Sequence, residues 1–189
     1  MGMAAHLLTG RMAALGLRGA PPSFEEIFML VQTGMVQTEM PGYSRACCCE
    51  DELEASAGAD TILLVEDEAF VRVVSCEVLR SAGYRVLTAK NAAEAVSVYD
   101  ARRGEVELLL TDVVLPGETG CTLAGRLRRV NPELKVLLVT GYGEQMGLLE
   151  AKLEARSEEC LAKPFSSEVL LRRVRQLLDR RAPKVRTNV

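Results

Sequence analysis

Glu107-Leu108-Leu109-Leu110-Thr111-Asp112-Val113-Val114-Leu115-Pro116-Gly117-Glu118-Thr119-Gly120 is the stretch on which the fold turns. Its apolar run, Leu108 to Leu110, leads directly into one carboxylate, Asp112, and the chain then turns through Pro116, Gly117 and Gly120. A short apolar run bounded by turn residues reads as a buried strand of a parallel sheet. In such sheets functional groups collect at the carboxyl edge, and Asp112 stands there. Taken alone, the segment is better read as a turn Asp that hydrogen-bonds its own backbone. The ends of the other strands decide between the two.

Working outward, Thr61 to Val65 (TILLV) is a second apolar run, and it ends in Glu66-Asp67-Glu68. Val71, Val74, Leu79 and Ala82 follow at helical spacing until Gly83 stops the helix. Tyr84 to Ala89 reads as a strand, and Asn91 caps a helix closing near Gly104. Beyond Asp112, a helix is expected from about Cys121 to Val130, ended by Asn131-Pro132. Leu134 to Val139 is a fourth strand closing on Thr140-Gly141, and Glu144 to Ala155 is a weaker helical stretch. Glu159 to Ala162 is a short fifth strand before Lys163-Pro164-Phe165, and Ser166 or Ser167 caps a last amphipathic helix. Five strands alternating with five helices predict a doubly wound α/β sandwich with a five-stranded parallel sheet.

The strand ends then offer Glu66 and Asp67, Asp112, Thr140 and Lys163, each one βα or βαβ step from the next. All lie on one rim of a parallel sheet and can converge. Carboxylates ~5 Å apart at an effective dielectric of ~20 repel by roughly 3 kcal/mol per pair. A cation is therefore expected among them, and an oxygen-only donor set with open positions suits Mg²⁺, or Mn²⁺. With a lysine and a hydroxyl beside it, the set is equipped to receive a phosphoryl group. Asp112 would be the nucleophile, the cation and Lys163 would neutralise the phosphoryl oxygens, and Thr140 would hydrogen-bond one of them.

With these residues in place, residues 60 to about 180 resemble a response-regulator receiver domain of two-component signalling. The resemblance rests on Glu66-Asp67 after TILLV, Asp112 with Pro116 and Gly120 behind it, Thr140-Gly141, and Lys163-Pro164-Phe165. The wording LLLTDVVLPG at 108–117 and LLVTGYG at 137–143 is most similar to receivers at the C-terminus of hybrid sensor histidine kinases. The resemblance implies a flavodoxin-like (βα)5 fold with strand order 2-1-3-4-5. It implies Mg²⁺ held by Asp67, Asp112 and the backbone carbonyl of Val114, with Glu66 acting through water, and a cis bond at Lys163-Pro164. It also implies a phosphohistidine donor, either a sensor histidine kinase or a histidine phosphotransferase. Partner binding, and possible dimerisation, would use the face of the fourth helix, fifth strand and fifth helix.

One position departs from the family. Receivers usually carry an aromatic residue or histidine three residues before the lysine, and rotation of that ring accompanies capture of the phosphoryl group by the hydroxyl. Here that position is Cys160. Tyr142, two residues past Thr140, is a candidate replacement readout.

Composition narrows the classes further. A net charge of −3 gives no electrostatic case for nucleic acid or a membrane surface. The apolar stretch Met3 to Leu17 is interrupted by His6, Thr9 and Arg11, too broken to span a bilayer. Of six cysteines, Cys47, Cys48 and Cys49 are adjacent and the rest scattered. That pattern fits thiols in a reducing cytoplasm better than a disulfide framework or a zinc site. Residues 1–58 read as a poorly ordered N-terminal extension, with a capping box at Ser23 and Glu26 opening a short helix near 23–32. Residues 59–181 are the receiver and 182–189 a basic tail, with no output domain expected. Such a chain is a switch that catalyses only its own phosphorylation and dephosphorylation. One rival is a docking module that binds without switching. Another, an Asp-nucleophile phosphatase, requires a second Asp two residues after the first, and Val114 holds that position.

Overall fold

The structure, a computed structural model, describes residues 28, 29, 32, 60–141 and 159–180. Five strands are present: β1 (Thr61–Val65), β2 (Arg85–Ala89), β3 (Val106–Asp112), β4 (Lys135–Thr140) and β5 (Glu159–Ala162). They form one parallel sheet in the order β2-β1-β3-β4-β5, as the resemblance implies. Four described helices accompany them: α1 (Ala69–Ser81), α2 (Ala92–Ala101), α3 (Gly120–Val130) and α4 (Ser167–Asp179). The expected helix at 144–155, Tyr142, the cysteine cluster at 47–49 and the tail at 182–189 lie outside the described residues. So does the 23–32 segment, apart from Phe28, Met29 and Gln32, which are helical.

The apolar strands follow from burial on both faces. Ile62 and Leu64 of β1, with Leu108 and Leu110 of β3, join one core containing residues of α1 and α4. Leu63, Val65 and Leu109 join a second core with residues of α2 and α3. Alternation along each strand thus assigns successive leucines to opposite layers. A polar residue in the middle of β1 or β3 would be buried whichever face it took.

Element ends are set by local chemistry. The Asn91 side chain accepts a 2.9 Å bond from the Glu94 amide, and Ser166 accepts one of 3.3 Å from Val169. Gly83, at φ 91°, closes α1 in a Schellman arrangement. Its amide donates to Arg80, and that of Tyr84 donates to Leu79. The Lys163-Pro164 peptide bond is cis.

Candidate functional site

Sheet order and register bring the site together. Strand β1 lies between β2 and β3, so the order reverses there and a crevice opens at the carboxyl ends. Val65 pairs with Thr111, so Glu66 and Asp112, each one residue further on, leave adjacent strands together. On the other side Asp112 pairs with Val139, and Thr140 pairs with Ala162. Lys163 therefore emerges one residue beyond the end of that ladder, and its amide donates a 2.7 Å bond to the Thr140 carbonyl.

Lys163 reaches back across the rim to the two acids. Its Nζ lies 2.8 Å from Asp112 Oδ2 and 3.0 Å from Glu66 Oε2. The three side chains are only 7–14% exposed. Burial pushes the Glu66 carboxyl above its ordinary pKa; the Lys163 charge and hydrogen bond only partly counter this, and the nearby Asp112 charge adds to it. For Lys163 burial acts downward. The charges of Glu66 and Asp112 and the hydrogen bonds to both outweigh it, so the ammonium is held above the usual lysine range. Lys163 stays protonated, and its charge is committed to this rim.

The remaining oxygens are held by main chain. Asp112 Oδ1 accepts a 3.0 Å bond from the Val114 amide, and Glu66 Oε1 accepts one of 3.3 Å from Glu68. The turn-type bond on Asp112 is thus present together with the charged contact. Gly120 is where the loop returns. A Cβ there would meet the Asp112 carbonyl oxygen at 2.1 Å, so only glycine permits this approach. Its amide donates to the Val113 carbonyl at 2.9 Å, tying the loop to the base of the acid.

Other sequence-predicted residues are placed less centrally. Asp67 is exposed at the start of the loop between β1 and α1. Thr140 is 7% exposed, and its hydroxyl donates to the Gly141 carbonyl at 3.2 Å. Val114 is 70% exposed, and its amide donates to Asp112 Oδ1. Cys160, half-buried in β5, packs against the α2–α3 core. Arg72 was not singled out from the sequence. Its guanidinium donates to the carbonyls of Glu66 at 2.6 Å and Asp67 at 3.2 Å, bracing the acidic loop from α1. An arginine one helical turn past an acidic strand end was the signal available.

Among the described residues no three acidic, thiol or imidazole groups are gathered into an ion cage. The donor chemistry still fits Mg²⁺. Two carboxylates, Glu66 and Asp112, face one ammonium, with Asp67 exposed beside them; all available donors are hard oxygens, and Mg²⁺ needs few protein ligands because it keeps most of its waters. Asp67, Asp112 and the Val114 carbonyl could supply such ligands.

Comparison with known proteins agrees with this geometry. Residues 62–175 match the family profile of the response regulator receiver domain. The chain is 36% identical over 124 residues to the sensor kinase CckA of Brucella abortus, a match covering 66% of this chain and 13% of CckA. It is 35% identical over 125 residues to the phosphate regulon transcriptional regulatory protein PhoB of Pseudomonas aeruginosa, covering 65% of this chain and 53% of PhoB. The chain therefore spans about an eighth of one relative and half of the other. Among solved structures, a response regulator receiver protein from Sinorhizobium medicae superposes with a TM-score of 0.60 at 27% identity, covering 67% of this chain and 100% of that one. The receiver domain of the hybrid histidine kinase CckA gives a TM-score of 0.53 at 32% identity, covering 62% and 98%. With the profile spanning more than half its length, its sheet in the order 2-1-3-4-5 and an acid–lysine rim at the strand ends, the chain belongs to the response regulator receiver domain family.

Proposed function

We propose that this receiver accepts a phosphoryl group from a phosphohistidine donor onto Asp112, and that it signals by binding another protein. The observation that carries the reading is the Lys163 ammonium set 2.8 Å from Asp112 Oδ2 at the open carboxyl rim. In the transfer an Asp112 oxygen forms a bond to phosphorus as the phosphorus–nitrogen bond to the donor breaks, and the imidazole leaves with a proton. Lys163 neutralises the anionic oxygens that arrive, and Thr140 supplies a hydroxyl at the end of the neighbouring strand. Mg²⁺, when bound by Asp67, Asp112 and the Val114 carbonyl with Glu66 acting through water, supplies positive charge to the same oxygens.

The donor is a sensor histidine kinase or a histidine phosphotransferase, and the setting is the cytoplasm. Among the described residues no helix is long and apolar enough to cross a membrane. The chain performs only its own phosphorylation and dephosphorylation. Tyr142 is proposed as a readout in place of the ring absent at Cys160. Unchanged phosphorylation-dependent partner binding in Tyr142→Ala would remove that role.

Incubation with acetyl phosphate and Mg²⁺, beside Asp112→Asn, tests the main reading by intact mass. A Mg²⁺-dependent adduct lost in the variant is the expected result. Its absence, together with failure to bind beryllofluoride, would leave the second reading, a docking module that does not switch. Cys160, a small half-buried side chain packed against the core where the family usually carries a ring, is the feature that favours this alternative.

A further inference from the structure

Phe28 and Gln32 precede the region that matches the family, yet both are built into its core and rim. Phe28 is 1% exposed and belongs to the core shared by α1, α4 and one face of the sheet. Its ring meets that of Phe165 edge-on, with centroids 5.8 Å apart and planes at 65°. Gln32, four residues later and so on the same side of a helix, clasps the backbone of the same residue. Its Nε2 donates to the Phe165 carbonyl at 3.0 Å, and its Oε1 accepts from the Phe165 amide at 3.0 Å. A carboxamide carries a donor and an acceptor in one plane, so a single side chain satisfies both main-chain groups of Phe165. Phe165 is two residues from Lys163, whose ammonium is shared by Glu66 and Asp112.

We propose that the segment carrying Phe28 and Gln32 is an intramolecular ligand of the Lys163–Phe165 loop, docked while Asp112 is unmodified and loosened when a phosphoryl group fills the rim. The Lys163 amide is tied to Thr140, and its Nζ spans the two acids. A phosphoryl group on Asp112 brings new anionic oxygens that draw Nζ away from Glu66, and the strain falls on the adjoining residues held by Gln32. Linkage is reciprocal: if filling the rim loosens the clasp, loss of the clasp strengthens filling of the rim. Phe28 and Gln32 thereby become residues whose exposure reports the state of Asp112. The linkage rests on the phosphoacceptor reading; the docking does not.

The test uses the full chain, Gln32→Ala and Gln32→Glu, with Mg²⁺ and with or without beryllofluoride. The Phe165 amide should exchange at least tenfold faster in Gln32→Ala. Gln32→Glu should accelerate this exchange too, because an acceptor-only carboxylate oxygen then opposes the Phe165 carbonyl where Nε2 donated. In the unsubstituted chain beryllofluoride should accelerate the same amide, and it should bind Gln32→Ala several-fold more tightly. Unchanged Phe165 exchange in Gln32→Ala would show that the segment does not dock. Docking with equal beryllofluoride affinity in all forms would overturn the linkage. No beryllofluoride binding in any form would overturn both the linkage and the phosphoacceptor reading, with the exchange comparison still judging the docking.

Discussion

Glu66 and Asp112 leave adjacent parallel strands in register, through the pairing of Val65 with Thr111, and share one partly buried ammonium. Two acids placed side by side by a backbone ladder would repel. Lys163, delivered by the far edge strand, makes their proximity tolerable. The arrangement is electrostatically poised, because any new charge on Asp112 must be shared by the same lysine.

Removal of Lys163 tests that balance. Lys163→Met leaves a buried and a partly buried carboxylate facing each other without a countercharge, and destabilisation of about 3 kcal/mol is expected in urea unfolding without divalent cations. Adding Glu66→Gln to Lys163→Met should recover part of the loss. A double variant as unstable as the sum of the singles would mean that the two groups do not interact.

The raised pKa of Glu66 gives a pH dependence of defined sign. In the unfolded chain its carboxyl ionises near the ordinary value of 4.5, whereas the folded protein holds its proton to higher pH. The stabilising contribution is therefore full below 4.5 and declines as pH rises through the folded value. In metal-free urea titrations Glu66→Gln should flatten this decline. An identical slope in both proteins over that range would contradict the burial argument.

Gly120→Ala places a methyl group against the Asp112 carbonyl. The loop must shift, with about 1–3 kcal/mol lost from overpacking. Because that loop is tied to the backbone beside Asp112, acetyl phosphate labelling should slow as well. Stability and labelling rate both equal to those of the unsubstituted chain would show that the close approach does not exist in solution.

Asn91→Ala serves as the contrasting case. It deletes the cap of α2, for which a loss of about 1 kcal/mol is expected. Since α2 contributes none of the rim side chains, the labelling rate should hold while the thermal midpoint falls.

Much of this protein can be read in local sequence because local physics writes it there. Apolar runs ending in Glu66, Asp112 and Thr140 announce buried parallel strands and their functional ends. Asn91, Ser166 and Gly83 mark helix boundaries by side-chain and backbone chemistry that needs no distant partner. The spacing of Glu66, Asp67, Asp112, Thr140 and Lys163 places them on one rim, provided the sheet is parallel. What spacing cannot convey is which atoms meet. That Lys163 lies between Glu66 and Asp112, that Arg72 braces the acidic loop, and that Asp67 faces solvent all depend on register and side-chain reach. Gln32 is the clearest case. Nothing in its neighbourhood predicts that its amide will clasp Phe165, 133 residues away. Sequence alone determined the alternating strands and helices and the candidate acids, because periodicity, capping and burial are local in the chain. Tertiary structure alone decided the shared ammonium and the clasp, because both are contacts between segments that only folding brings within hydrogen-bond distance.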